Sequence, residues 1–149
     1  MIGPRGRDLI RSFESVRLEA YDDGGGVWTI GWGHVRGVTE GMTATREQAE
    51  QWFADDIGRA EDALDGMLSV ALSQGQRDAL ASFIFNLGPG SFRTSTLRKM
   101  VNARDWHQAS REFSRWDKQR VGGVLKERRG LILRRHQEAA LFCADPWPT

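Results

Sequence analysis

Glycine recurs at positions 24, 25, 26, 31, 33, 37 and 41, and this run limits the fold more than any other feature. Each glycine in a helix interior loses about 1 kcal/mol relative to alanine, so no stable helix crosses this segment. The letters around the glycines agree. LEAY and VWTIGWG are short stretches, and the second alternates and is β-branched and aromatic. They predict a small β-hairpin or meander turned at Gly24-Gly25-Gly26.

Helical periodicity flanks this segment on both sides. Pro4 suits a helix start, and Leu9, Ile10 and Phe13 share one face of a helix over Arg5 to Phe13. Glu14 then falls at or just past its end. Thr45 and Gln48 make a capping-box pattern, and Ala49, Trp52, Phe53, Ile57, Ala60 and Leu64 carry a long helix to about Leu68. Another begins at Gln74 or Gly75, with Leu80, Phe83, Ile84 and Leu87 as its stripe, and ends at Gly88-Pro89-Gly90. Short helices are expected over Ser95 to Val101 and Trp106 to Trp116. Gly122-Gly123 breaks the chain, Leu125 to Phe142 forms a last helix, and Pro146 and Pro148 mark a frayed tail. The expected fold is α+β and a single domain over residues 1–149. A β-lobe occupies about 14–44, a linking helix 45–68, and a helical lobe 69–149 together with the N-terminal helix. A cleft between two such lobes is a natural ligand site.

The net charge of +1 conceals an asymmetry. Residues 1–65 carry 7 Lys/Arg and 13 Asp/Glu, whereas residues 66–149 carry 14 and 7. A basic surface favours an anionic partner such as cell wall, nucleic acid or a membrane surface; an Arg-rich solvated helix surface reads the same way. Cys143 is the single cysteine, so no intrachain disulfide forms, and it makes no metal set with His34, His107 and His136. No cofactor or metal is expected. A reducing compartment is expected, with no signal peptide and no stable membrane insertion.

Two acids stand out chemically. Glu14 lies among Phe13, Val16 and Leu18, and apolar neighbours raise a carboxyl's pKa toward what a general acid needs. Asp23 sits in the glycine-rich turn, where a carboxylate is solvated and ionised. Two carboxylates in unlike surroundings are the equipment of glycoside hydrolysis. A surface acid at a helix end and an ordinary turn residue would present the same two letters. Spacing does not separate Asp23 from Asp22.

The pattern extends beyond the pair. Glu14, Tyr21, Asp23, Gly26, Thr29, Gly31, Gly33 and His34 follow the Glu, Tyr, Asp, Gly-x-x-Thr-x-Gly-x-Gly-His order of the phage-type lysozymes, which this segment closely resembles. One departure is Ser15, where that family usually has glycine; a positive φ there would strain serine. The likeness continues more weakly through T-R-E-Q-A-E-Q-W-F-A-D-D, A-L-A-S-F-I-F-N-L-G and G-L-I-L-R-R-H-Q-E, covering about residues 5 to 142.

The resemblance implies a lysozyme-like fold and hydrolysis of the β-1,4 bond between N-acetylmuramic acid and N-acetylglucosamine in bacterial peptidoglycan. Glu14 would be the general acid, with Asp23 and Thr29 handling the attacking water. Asp23, rather than Asp22, is the family's choice. His34 would be structural, paired with Asp56 within 4 Å. Asn86 and Phe85 align with substrate-cleft residues, and Phe85 serves equally well as core. Trp32, like Trp28, could stack on sugar or pack inward. Arg134, Arg135 and Glu138 are expected to form helix-surface or interlobe ion pairs. The resemblance also implies a monomer in the host cytoplasm, released through a holin, with no nucleic-acid partner. Two other readings compete. One is a lytic transglycosylase on the same glycan, which needs no water-holding pair. The other is a non-enzymatic wall- or nucleic-acid-binding module, which accounts for the basic half but not for Glu14 to His34.

Overall fold

Pro4 opens helix α1 (Pro4–Phe13), and the buried carboxylate of Asp78 accepts the Gly3 and Gly6 amides at its start, at 2.8 and 3.2 Å. These bonds satisfy amides that every helix N-terminus leaves open. The computed structural model describes residues 1–149, the side chain of Val121 excepted. Helix α1 ends at Phe13, and the antiparallel pair β1 (Arg17–Asp22) and β2 (Trp28–Gly31) follows, with Tyr21 opposite Thr29 and Asp22 opposite Trp28. A bridge from Glu19 to Thr43 folds the next loop back onto β1.

The long helix α2 (Arg46–Met67) starts where Thr45 accepts the Gln48 amide at 3.1 Å. Only this half of the expected capping box is present there. The reciprocal box instead opens α3 (Gln74–Leu87), where Ser73 and Gln76 each hold the other's backbone. Helix α3 is the centre of the body, buried along most of its length and packed by α1, α2 and α7. Gly88 ends it, but Pro89 immediately begins α4 (Pro89–Thr94), a helix not expected from the sequence. Helices α5 (Thr96–Asn102) and α6 (Trp106–Glu112) follow, then a 3₁₀ turn over Phe113–Trp116 where one continuous helix was expected.

The chain then departs from expectation. Gly122-Gly123 does not simply interrupt it but turns a second hairpin, β3 (Lys118–Val121) and β4 (Val124–Glu127). The last helix, α7 (Arg129–Phe142), therefore begins four residues later than Leu125. The tail is also not frayed. Trp106 donates to the Pro148 carbonyl at 3.2 Å, and Trp147 packs on the core beside Phe142.

The main core gathers Leu64, Leu80, Phe83, Phe92, Leu97, Phe113 and Phe142. A smaller cluster of Ile2, Ile10, Phe53, Ile57 and Ala81 joins α1 and α2 to α3. The architecture is α+β, with seven α-helices and two two-stranded antiparallel sheets among the described residues. Helix α2 runs from the first hairpin into the helical body.

Candidate active site

Glu14 is the C-cap of α1, with extended backbone that turns the chain toward β1. Its side chain is about 21% exposed and lies directly against Gly33. A methyl group on Gly33 would stand 2.9 Å from Glu14 Oε2, and Gly33 has a φ of +77°. Both facts restrict this position to glycine. Burial pushes the Glu14 carboxyl above the usual carboxylate range, and the Arg134 guanidinium, whose Nη1 donates to Oε1 at 3.3 Å, partly opposes it. Ser15 next to it carries no strain, because Arg104 is the one described non-glycine residue with positive φ.

Asp22 and Asp23 both serve the glycine turn. Asp22 Oδ1 accepts the Gly24 and Gly26 amides, and Asp23 Oδ1 accepts those of Gly25 and Val27 at 2.8 and 3.3 Å. Asp23 is exposed, with Oδ1 held by backbone. Thr29 is buried, and its hydroxyl donates to the Val27 carbonyl at 3.2 Å. Tyr21 feels the charge of both acids. Burial raises its hydroxyl, and so do the charges of Glu14 and, more weakly, Asp23, while Arg17 acts against them.

Glu14 lines a cavity of about 390 Å³ with Phe13, Asn86, Gln119, Arg128 and Arg134. Gly33 lines a second of about 260 Å³ with Val35, Asp56, Phe85 and Pro89. Glu14 and Gly33, one from each lining, are in contact. Asn86 and Phe85, consecutive on α3, therefore face different cavities. Phe85 also stands edge-on to Phe53 at 5.8 Å, so it is both lining and core.

His34 is 4% exposed, with Nδ1 donating to Asp56 Oδ2 at 2.8 Å and its ring stacked on Trp52 at 4.7 Å. The expected contact is present, and it ties the loop after β2 to α2. Trp32 is half-buried against the smaller core cluster. Its indole donates to Glu50, the Arg11 and Arg46 guanidiniums lie over its ring at 5.1 and 5.4 Å, and it lines neither cavity.

The ion pairs of α7 are not on the surface. Arg134, Arg135 and Glu138 are 3%, 1% and 0% exposed. Burial pushes the Glu138 carboxyl up, and Arg135, Arg134 and the Ser82 hydroxyl oppose it. Taking an ion out of water costs several kcal/mol, so such charges persist only when they compensate one another. Sequence reasoning paired these residues but missed that Arg134 reaches Glu14. The available signal was their spacing, which puts Arg134 and Glu138 on one face of a helix also carrying Phe142. Among the described residues no three His, Cys, Asp or Glu gather as a metal set, and no helix is long and apolar enough to cross a membrane.

The Phage lysozyme family model matches residues 11–138. An endolysin of Acyrthosiphon pisum secondary endosymbiont phage 1 is 42% identical over 141 residues, which is 95% of this chain and 97% of that protein. An endolysin of Bacillus phage B103 is 39% identical over 144 residues; the match covers 95% of this chain but 53% of that protein, so the chain spans about half its length. The solved structure of the endolysin from Escherichia coli O157:H7 phage FAHEc1 superposes with a TM-score of 0.87 at 33% identity, covering 100% of this chain and 97% of that one.

Proposed function

The chain belongs to the phage lysozyme family, and from that premise we propose that it hydrolyses the glycan strands of bacterial peptidoglycan. The bond is the β-1,4 linkage between N-acetylmuramic acid and N-acetylglucosamine. The observation that carries this reading is the Glu14 carboxyl: half-buried on Gly33, raised by burial, and open to a cavity rather than sealed in the core. A carboxyl raised by burial takes up a proton more readily than an exposed one, as a general acid must before it can deliver it.

Protonated Glu14 gives its proton to the glycosidic oxygen as the bond to the anomeric carbon breaks. Water attacks that carbon from the opposite face. Asp23 accepts the water's proton and stabilises positive charge on the ring, while the Thr29 hydroxyl holds the water. This division of labour is that of an inverting glycosidase. Asp23 suits its part by being exposed and fixed in direction through Oδ1 by two backbone amides. Asn86 and Phe85 hold sugar units on either side of Glu14, one in each cavity. His34 and Asp56 act structurally, keeping Gly33 and its loop against α2. The enzyme works as a monomer without cofactor or nucleic acid. It collects in the host cytoplasm and reaches the wall, and so lyses the cell, once a holin has opened the membrane.

Reducing-end analysis of digested peptidoglycan tests the reaction. New reducing N-acetylmuramic acid ends are expected. Anhydro ends would transfer the assignment to a lytic transglycosylase, and binding without cleavage would leave only a wall-binding module.

A further inference from the structure

Four charged groups form one connected set between α1 and α7. Glu138 Oε1 accepts from Ser82 Oγ and Arg135 Nη2, each at 2.8 Å, and from Arg134 Nε at 3.3 Å. Arg134 directs its remaining nitrogens to Glu14 Oε1 and to the Ser82 carbonyl, at 3.3 and 3.5 Å. Arg135 Nη2 also donates to Asn86 Oδ1 at 2.9 Å, and its guanidinium lies over Phe83. One arginine is thus shared between two carboxylates at equal distance. The set holds two cations, and it is neutral only when Glu14 and Glu138 are both ionised.

We propose that Glu138 is a positioning residue for Glu14: it anchors Arg134 by Nε and offsets one of two buried guanidinium charges, and so sets how strongly Arg134 holds the Glu14 carboxylate. Without that offset, two cations would have Glu14 as their sole carboxylate partner. Glu14 would then keep its charge to lower pH and yield fewer protons to substrate. With it, Arg134 aims Glu14 while leaving it able to take up a proton between turnovers. Burial of the carboxyl against Gly33 works in the same direction.

Other groups also face the set. Arg128, just before α7, lines the same cavity as Glu14, but it is exposed, so solvent screens its charge. From α3 come Ser82 and Asn86, which are uncharged at any relevant pH. From β1 comes the Tyr21 hydroxyl, itself held in its neutral form by burial and by Glu14. From α6 and the segment following it, Arg111 and Asp117 face a cavity beyond Arg135 together with His136 of α7. None of the three lines the Glu14 cavity, and Arg111 and Asp117 carry opposite charges.

The inference rests on Glu14 being the proton donor, and its test separates the two claims. Carbon-13 titration of the glutamate carboxyls, with Glu14 assigned from a Glu14→Gln difference spectrum, reads Glu14 without reference to activity. Glu138→Gln should move the Glu14 midpoint about one unit toward acid, and Arg135→Met, which removes a cation, should move it toward alkali. The alkaline limb of kcat/KM on soluble glycan should follow each shift. A merely structural Glu138 would lower activity in both variants without opposite displacements. Midpoints that stay within a few tenths of a unit, or move together, overturn the proposal. If either variant fails to fold, the parent decides: Glu138 must remain ionised throughout the range in which Glu14 titrates, and a Glu138 that protonates with or before Glu14 overturns it. Undiminished lysis by Glu14→Gln would instead overturn the catalytic reading, whatever the midpoints do.

Discussion

The protein contains two hairpins of similar size and opposite situation. In the first, β2 is buried at Thr29, Ile30 and Gly31 and packs against α2. In the second, all four residues of β4 are exposed, Val124 and Leu125 by more than half. The first takes its register from what it buries, and a one-residue slip would expose Ile30. The second depends on its turn. Gly122 and Gly123 have φ of 57° and 82°, the pair of positive values that a two-residue type I′ turn needs. An isolated hairpin is marginal in water, so this one leans on the Arg128 amide bond to the Asp117 carbonyl that closes its base. The proposed water-handling pair, Asp23 and Thr29, belongs to the hairpin fixed by burial, and the turn-fixed one supplies Gln119 to the cavity edge beside Glu14.

Substitutions can break or sharpen this contrast. The largest effect belongs to Glu14→Gln, expected to reduce wall lysis 10² to 10⁴-fold, roughly the share a general acid supplies; turbidity clearance of peptidoglycan measures it. Next is Gly33→Ala. Its methyl group meets Glu14 at 2.9 Å on a backbone that costs L-residues about 1–2 kcal/mol. Lysis should fall at least tenfold and stability by that amount in urea unfolding. The second hairpin supplies the control. Gly123→Ala has the same backbone penalty of about 1–2 kcal/mol but no atom within 4 Å to meet. Stability should drop similarly while lysis stays within about threefold, and Gly123→Asn should regain part of the loss because asparagine tolerates this conformation. An equal loss of lysis in Gly123→Ala would erase the distinction between the two hairpins.

The smallest effect is in the pH dependence of stability. Burial holds the Glu14 midpoint above its unfolded value. Its contribution to stability is therefore full below the ordinary carboxylate pKa and is lost as pH rises through the folded value. Glu14→Gln removes that loss, so from about pH 4 to pH 7 its stability should improve relative to the parent. A parallel pair of stability curves would show that Arg134 balances burial completely.

What could be read from the sequence divides along the same line. Glu14, Asp23, Thr29, Gly33 and His34 lie within 21 positions, so spacing and glycine placement convey them as one pattern, although Arg134 and Asp56 complete the contacts of Glu14 and His34 from outside it. The α7 stripe is different. Arg134, Arg135 and Glu138 are buried because α3 presents Ser82 and Asn86 to them, about 50 residues earlier. Hydrophobic periodicity is blind to a stripe made of charge. Trp32 shows the same limit, since Arg11, Arg46 and Glu50 from two other helices decide which way it faces. The second hairpin could have been read: V-G-G-V is a two-residue turn between β-branched residues. The charged letters around it suggested a helix surface instead.

The bonds that close α1 onto the rest span long stretches of chain: 75 positions from Gly3 to Asp78 and 140 from Arg5 to Asp145. Helix α1 leaves the ribosome well before its partners on α3 and beyond α7. Until they do, its apolar face has nothing to bury against, and a ten-residue helix does not persist alone in water. Closing such loops precedes any gain from the contacts they form, which slows folding. The acid at the end of α1 is therefore held in place only when segments made much later, α7 among them, have docked. A nascent or truncated chain would carry the complete Glu14 to His34 signature and no working site.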